Sequence, residues 1–202
     1  MSAARDEILA RVRAAKGSAA VAPARSYRTA GTLDATARLA LLHERLVDYG
    51  ARVERELRGV LDELGADARI GVPPGLPAAW RPPTAVQDRG LSAQELDRLD
   101  GVLTGCTVAI AETGTIVLSG RAKEGRRALT LVPDLHVCIV EAAEIVETVP
   151  EAFDRLAPRA TEPLTFVSGP SATSDIELRR VEGVHGPRRL VVIVVEQEKA
   201  GG

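Results

Sequence analysis

Helical spacing fills the first half of this chain, and short apolar strands interleaved with loops fill the second. That order restricts the folds open to it more than any other feature. Over residues 2–16, Ile8, Leu9 and Val12 form one apolar edge among charges, and Gly17 closes the helix. Residues 18–31 are small, polar and Pro-containing and read as an arm, with a basic cluster, RSYR, around Tyr27. Asp34 stands where it can cap the next helix, whose Leu39, Leu42, Leu46 and Val47 recur at helical intervals before Gly50. A short strand over residues 51–53, a helix over about 54–64 and a strand over 69–72 follow, the last stopped by Pro73 and Pro74. Residues 73–83 form a Pro-rich loop around Trp80, either a lid or a connection.

In the second half, residues 106–111 and 115–119 read as two strands around a tight turn at Glu112, Thr113 and Gly114. Residues 129–132 and 136–141 read as another pair around Pro133 and Asp134. A helix with Pro in its first turn is expected over 150–156, a short buried strand over 164–167 and a longer one over 190–195. This mixture predicts an α/β domain, a three-layer Rossmann-like arrangement around a mixed, mainly parallel sheet. Only 2% of the residues are aromatic, so the core is built from Leu, Val, Ile and Ala, which suits buried strands and argues against a base-stacking surface.

The 26 basic and 28 acidic residues leave a net charge of −2, so no field of one sign favours nucleic acid. Cys106 and Cys138 are the only cysteines, short of the four thiolates an iron–sulfur cluster usually takes and of a structural zinc set. Cys138, in HVCIV, reads as a small core residue. No apolar run approaches a membrane span, and the charged N-terminus lacks a secretory apolar region, so the expectation is a cytoplasmic protein.

Four stretches could carry chemistry. The first, LTFVSGPSATSD, runs from an apolar strand into a loop of small residues. Ser168, Gly169, Ser171, Thr173 and Asp175 are candidate ligand-binding positions there, with Ser174 or Asp175 able to cap a following turn. Strand, small-residue loop and helix start present backbone N–H groups to an anion, and the loop is expected outside the carboxyl ends of the sheet strands. Read on spacing alone, it is a tight connection more often than an anion site. The second, VEGVHGP, fixes His185 between Gly183 and Gly186, a placement suited to proton transfer or carboxylate binding. In the third, AIAETG, Glu112 ends an apolar strand and is either a nucleophile or base, or a solvated hairpin end. In the fourth, Arg126 and Arg127 could clamp a carboxylate, or simply be solvated; His136, opening a strand after Asp134 and Leu135, is open to the same two readings. There is no nucleophile elbow, HExxH motif or metal-ligand cluster.

Together, SGPSATSDIE, EGVHGP, AETGTIVL and LTLVPDLHVCIV resemble, in order and spacing, the LUD domain. With its N-terminal helix and Arg-Tyr arm, the chain is similar to members of the lactate utilization protein C family. The resemblance divides the chain into an N-terminal helix and arm, residues 1–33, and a LUD domain, residues 34–197. It implies a fold of the ribose-phosphate isomerase and CoA transferase type. It also implies a part in growth on L-lactate, oxidised to pyruvate beside iron–sulfur partner proteins, with no cofactor in this chain and a small anionic metabolite as ligand. Three roles stay open at this point. The chain is a non-redox subunit of a lactate-oxidising complex, a stand-alone enzyme of the transferase or isomerase kind using Glu112 or His185, or a non-catalytic binding module. In CoA transferases a Glu before Asn-Gly forms the acyl intermediate; here Thr113 stands where that pattern has Asn.

Overall fold

A computed structural model describes residues 3–16, 26–173, 181–182 and 186–195. The described elements begin with α1 (Ala3–Lys16), α2 (Ala35–Asp48), β1 (Arg52–Glu54), α3 (Leu57–Leu64), β2 (Ile70–Val72) and β3 (Ala85–Gln87). They continue with α4 (Ala93–Asp97), β4 (Gly101–Thr104), β5 (Val108–Ile110), β6 (Thr115–Leu118), β7 (Leu135–Glu141) and β8 (Ile145–Val146). The last are α5 (Val149–Leu156), β9 (Thr165–Val167), β10 (Ala172–Thr173), β11 (Val181–Glu182) and β12 (Arg189–Val195).

Six strands form one sheet in the order β1-β12-β7-β4-β2-β3, and every pairing in it is parallel. The long strands β7 and β12 lie side by side within it, with Leu190 opposite His136. Side chains alternate across such a strand, and here both faces are covered. Cys138, Val140, Leu190 and Val192 pack with Leu42 and Leu46 of α2 and with Ala109 and Ile116 of a second sheet. Val137, Ile139, Val191 and Ile193 face the other way, toward Val60 of α3. The second sheet, β8-β5-β6-β9, is mixed: β5–β6 and β6–β9 are antiparallel, β5–β8 parallel. Helix α3, the parallel sheet, and a layer shared by α2 and the second sheet make the three layers. Helix α5 covers the far side of the second sheet with Ala152 and Leu156.

Local signals explain most boundaries. The Asp34 side chain accepts from Ala37 N at 2.8 Å and caps α2, which ends at Tyr49 with Gly50 at φ +84°. Thr148 and Glu151 form a capping box on α5, with Pro150 in its first turn. One expected strand is corrected. Residues 129–132 form a helical turn, with Leu129 N bound to Arg126 O and Val132 N to Ala128 O. Its apolar signal comes from Leu129, which is buried against Leu96 and Leu99 rather than paired in a sheet. The loop around Trp80 is a built connection: Arg81 donates to the carbonyls of Pro74 and Leu76, and Trp80 packs on the core under α3. Both cysteines are fully buried, Cys138 as expected of a small core residue.

The described end of the arm, residues 26–33, lies on the domain. The amides of Thr32 and Leu33 each donate to Glu147 Oε2 at 2.6 Å, and Arg28 bridges Glu147 and Glu112. Those amides, with Arg28, hold the Glu147 carboxyl below the usual carboxylate range. Gly31 is required at this crossing, because a Cβ there would collide with the Glu147 side chain.

Candidate functional site

The first three residues after β9 turn sharply because of what they pack against. Gly169 has φ +92°, and a Cβ on it would stand 2.6 Å from the carbonyl oxygen of Tyr49 at the end of α2. Only glycine combines that backbone with that approach. Ser168 Oγ lies 2.7 Å from Thr115 Oγ1, so a hydroxyl pair ties the loop to β6. Ser171 N donates to Pro187 O at 2.7 Å, and this bond joins the loop to the segment that leads into β12.

Between these two segments lies a cavity of about 250 Å³. Its walls include Ser168, Gly169, Ser171, Gly186, His136 and Arg127. The described lining contains no carboxylate, and Arg127 is its one formal charge. The Arg127 guanidinium makes only weak contacts to Thr130, at 3.3 and 3.4 Å, and has no acidic partner among the described residues. His136 is buried, with Nε2 2.8 Å from Thr104 Oγ1. Burial, with the Arg127 charge in second place, pushes its pKa down to about 4, so the ring is neutral near pH 7. A second hollow of about 350 Å³ shares Arg127, Thr130 and Thr165 with the first, so Arg127 stands between the two.

The structure separates residues that the sequence grouped. Arg127 lines the cavity, but Arg126 turns to the buried Asp88, at 2.7 and 2.9 Å, and to the carbonyl of Leu91. Burial alone would raise the Asp88 carboxyl; Arg126 and the amides of Leu91 and Gly90 outweigh it and hold it low. Arg126 is therefore held in an ion pair with Asp88, so of the two arginines Arg127 alone lines the cavity among the described residues. Glu112, part-exposed at the β5–β6 hairpin end, is not among the described walls of this cavity. Its Oε2 accepts from Arg28 at 2.7 Å and its Oε1 from Val149 N at 3.0 Å, so it anchors the arm and the start of α5.

Position in the sheet is also corrected. The loop leaves the carboxyl end of β9, a strand of the second sheet, and His136 and Leu190 are each the second residue of β7 and β12. The cavity thus sits at the amino ends of the parallel strands, opposite to the expected rim. Ala172 and Thr173 form β10, paired antiparallel with β11, instead of leading at once into a helix. Asp175, Ser174 and His185 lie outside the described residues. Thr104, Thr130, Thr165 and Glu147 were not anticipated; Thr104 reaches His136 only through the β4–β7 pairing, which no local pattern announces. Among the described residues no group of His, Cys, Asp and Glu is arranged to hold a metal ion, and no helix is long and apolar enough to cross a membrane.

Residues 51–195 match the family described as LUD domain. The chain is 52% identical over 171 residues to Lactate utilization protein C of Deinococcus radiodurans, a match covering 78% of this chain and 81% of that protein. To Lactate utilization protein C of Bacillus pumilus it is 37% identical over 95 residues, 44% of this chain and 39% of that one. The chain therefore spans well under two thirds of the Bacillus relative. A crystal structure of a DUF162 family protein from Deinococcus radiodurans superposes with a TM-score of 0.70 at 42% identity, over 81% of this chain and 99% of the other.

Proposed function

This chain belongs to the LUD domain family, and from that premise we propose that it acts in lactate utilization as a component that takes a small carboxylate into the cavity beside Arg127. The role is supported by the names of the relatives and by the extent of the Deinococcus match. The observation that carries the ligand class is the Arg127 guanidinium, left without an acidic partner among the described residues in a cavity with no carboxylate in its described wall. A guanidinium so placed favours a planar anion through paired, charge-assisted hydrogen bonds. We place iron–sulfur partner proteins beside it in L-lactate oxidation. The support is that Cys106 and Cys138 are the chain's only cysteines and are both buried in the core.

Deletion of the gene and complementation test the role. The deletion strain should lose growth on L-lactate and keep it on another carbon source. Wild type should restore growth and Arg127→Ala should not, while an affinity-tagged chain should co-purify with iron–sulfur proteins. Undiminished growth of the deletion strain on L-lactate would refute the role.

A further inference from the structure

The chain has two phenylalanines, and neither is in the core. Phe153 of α5 is 54% exposed and Phe166 of β9 is 47% exposed. They belong to different elements yet meet, with ring centroids 6.2 Å apart and planes inclined by 27°. Folding does not ask for this, because the core clusters of Leu, Val, Ile and Ala close without them. Aromatic rings at a surface are the usual anchors of protein–protein contacts. The strand beside the pair is also unfinished. β9 pairs with β6 and is the outer strand of the second sheet among the described residues. Its free side presents backbone donors and acceptors, and an edge that stays single is usually guarded by charge or Pro. The outer strand β1 of the six-stranded sheet is guarded in this way, by Arg52 and Glu54, whose side chains meet at 2.6 Å. β9 is Thr165, Phe166 and Val167, with neither charge nor Pro.

We infer that this edge and the aromatic pair form the contact face of a homodimer, in which β9 pairs antiparallel with β9 of a second copy about a two-fold axis at Phe166. Two features favour a copy over another kind of partner. A strand edge is self-complementary: turned about a two-fold axis, the donors and acceptors of β9 meet their own counterparts. The described charges bordering the pair are balanced too, with Asp154 and Arg155 beside Phe153 and the Arg159–Glu162 ion pair before β9. A copy of the same face meets charges of both signs, and no excess of one sign repels it. An acidic or basic partner gains nothing from such a border. Phe166 lies opposite Val117 of β6, which packs under α5. Residues directly opposite in an antiparallel pair share a face, so the Phe166 and Phe153 rings of both copies form one cluster across the axis. Thr165, Phe166 and Val167 also line the cavity beside Arg127. The dimer therefore sets the two cavities on either side of its axis, each with the copy's β9 near its rim.

Sedimentation velocity and light scattering on the full chain, over a concentration series from micromolar upward, test the assembly. Wild type should be a dimer. Phe166→Asp should weaken it at least about thirtyfold, the loss typical of an interface anchor, and Phe153→Asp should weaken it as well. Val47→Asp, at a similarly exposed apolar residue of α2, should leave it intact. Disulfide trapping tests the register without disturbing the face by charge. Cys106 and Cys138 are both buried, so Phe166→Cys introduces the accessible thiol. On the axis its Cα lies about 4.5–5.5 Å from its mate, within disulfide reach. Mild oxidation should convert Phe166→Cys to a covalent dimer and leave Val47→Cys monomeric on a denaturing gel. A monomeric wild type, which would leave the face to a different protein, would overturn the inference. So would a dimer insensitive to both Asp variants, or equal trapping at positions 47 and 166.

Discussion

Replacing Gly169 by Ala tests whether the loop at the cavity is held by its approach to α2. Two costs combine. The residue has φ +92°, and an L side chain in that conformation costs about 1–2 kcal/mol. The added Cβ would also meet Tyr49 O at 2.6 Å and Tyr49 Cβ at 2.9 Å, and the first of these is backbone that cannot rotate aside. Overpacking of that kind adds about 1–3 kcal/mol. Gly65 provides the control, with φ +95° and nothing within 4 Å of its would-be Cβ. Gly65→Ala should therefore carry the first cost alone, about 1–2 kcal/mol, and Gly169→Ala about 2–5 kcal/mol. In a chain of this size each kcal/mol lowers Tm by about 2–4 °C, so the two variants should be clearly resolved by urea and thermal unfolding. Gly169→Ala should also weaken carboxylate binding, since the loop is a cavity wall, while Gly65→Ala leaves it intact. Equal losses of stability in the two variants would refute the claim that contact with Tyr49 shapes this loop.

Acid should destabilise the fold through His136. Its folded pKa of about 4 lies below the unfolded value near 6.5, so the unfolded state binds more protons between them. Stability from this group is complete above pH 6.5 and is lost as pH falls toward 4, by about 3 kcal/mol at most, and the slope should flatten in His136→Phe. Glu147 and Glu151 are held below their ordinary values, so their contribution is present above about pH 4.5 and fades as pH falls through the folded values. Protease cleavage within residues 26–33 should accelerate over that lower window. Arg28→Ala and Gly31→Ala should each bring the same acceleration at pH 7, because one removes the bridge to Glu112 and Glu147 and the other collides with Glu147. Asp88→Ala should cost about 1–3 kcal/mol in chemical denaturation, because it leaves the amides of Gly90 and Leu91 without their acceptor as well as freeing Arg126.

Local signals carried much of the fold. Asp34 and Gly50 bracket α2, Gly114 turns the β5–β6 hairpin at φ +57°, and the apolar run before Glu196 is β12. What failed had physical reasons. Strand β4 has four residues, and its burial is set by neighbours far away in sequence. Helix α4 was overlooked although Ser92 and Glu95 form its capping box, a spacing visible in the sequence. Residues 129–132 imitate a strand because a buried Leu serves a turn as well as a sheet. The site was legible as a set of residues but not as a geometry. Arg126 and Arg127 are neighbours with opposite fates, decided by Asp88, 38 positions earlier. Glu112 could not be placed without knowing that Arg28, 84 positions away, reaches it. The rim was misjudged because β9 belongs to the second sheet, and strand membership is a tertiary fact.

A crystal structure of the full chain grown with pyruvate at millimolar concentration tests the cavity most directly. The account predicts density between the 168–171 and 186–187 segments, with carboxylate oxygens about 3 Å from the Arg127 guanidinium. A ligand bound elsewhere, for instance near Lys123 and Trp80 at the opposite rim of the sheet, with the cavity empty, would contradict it.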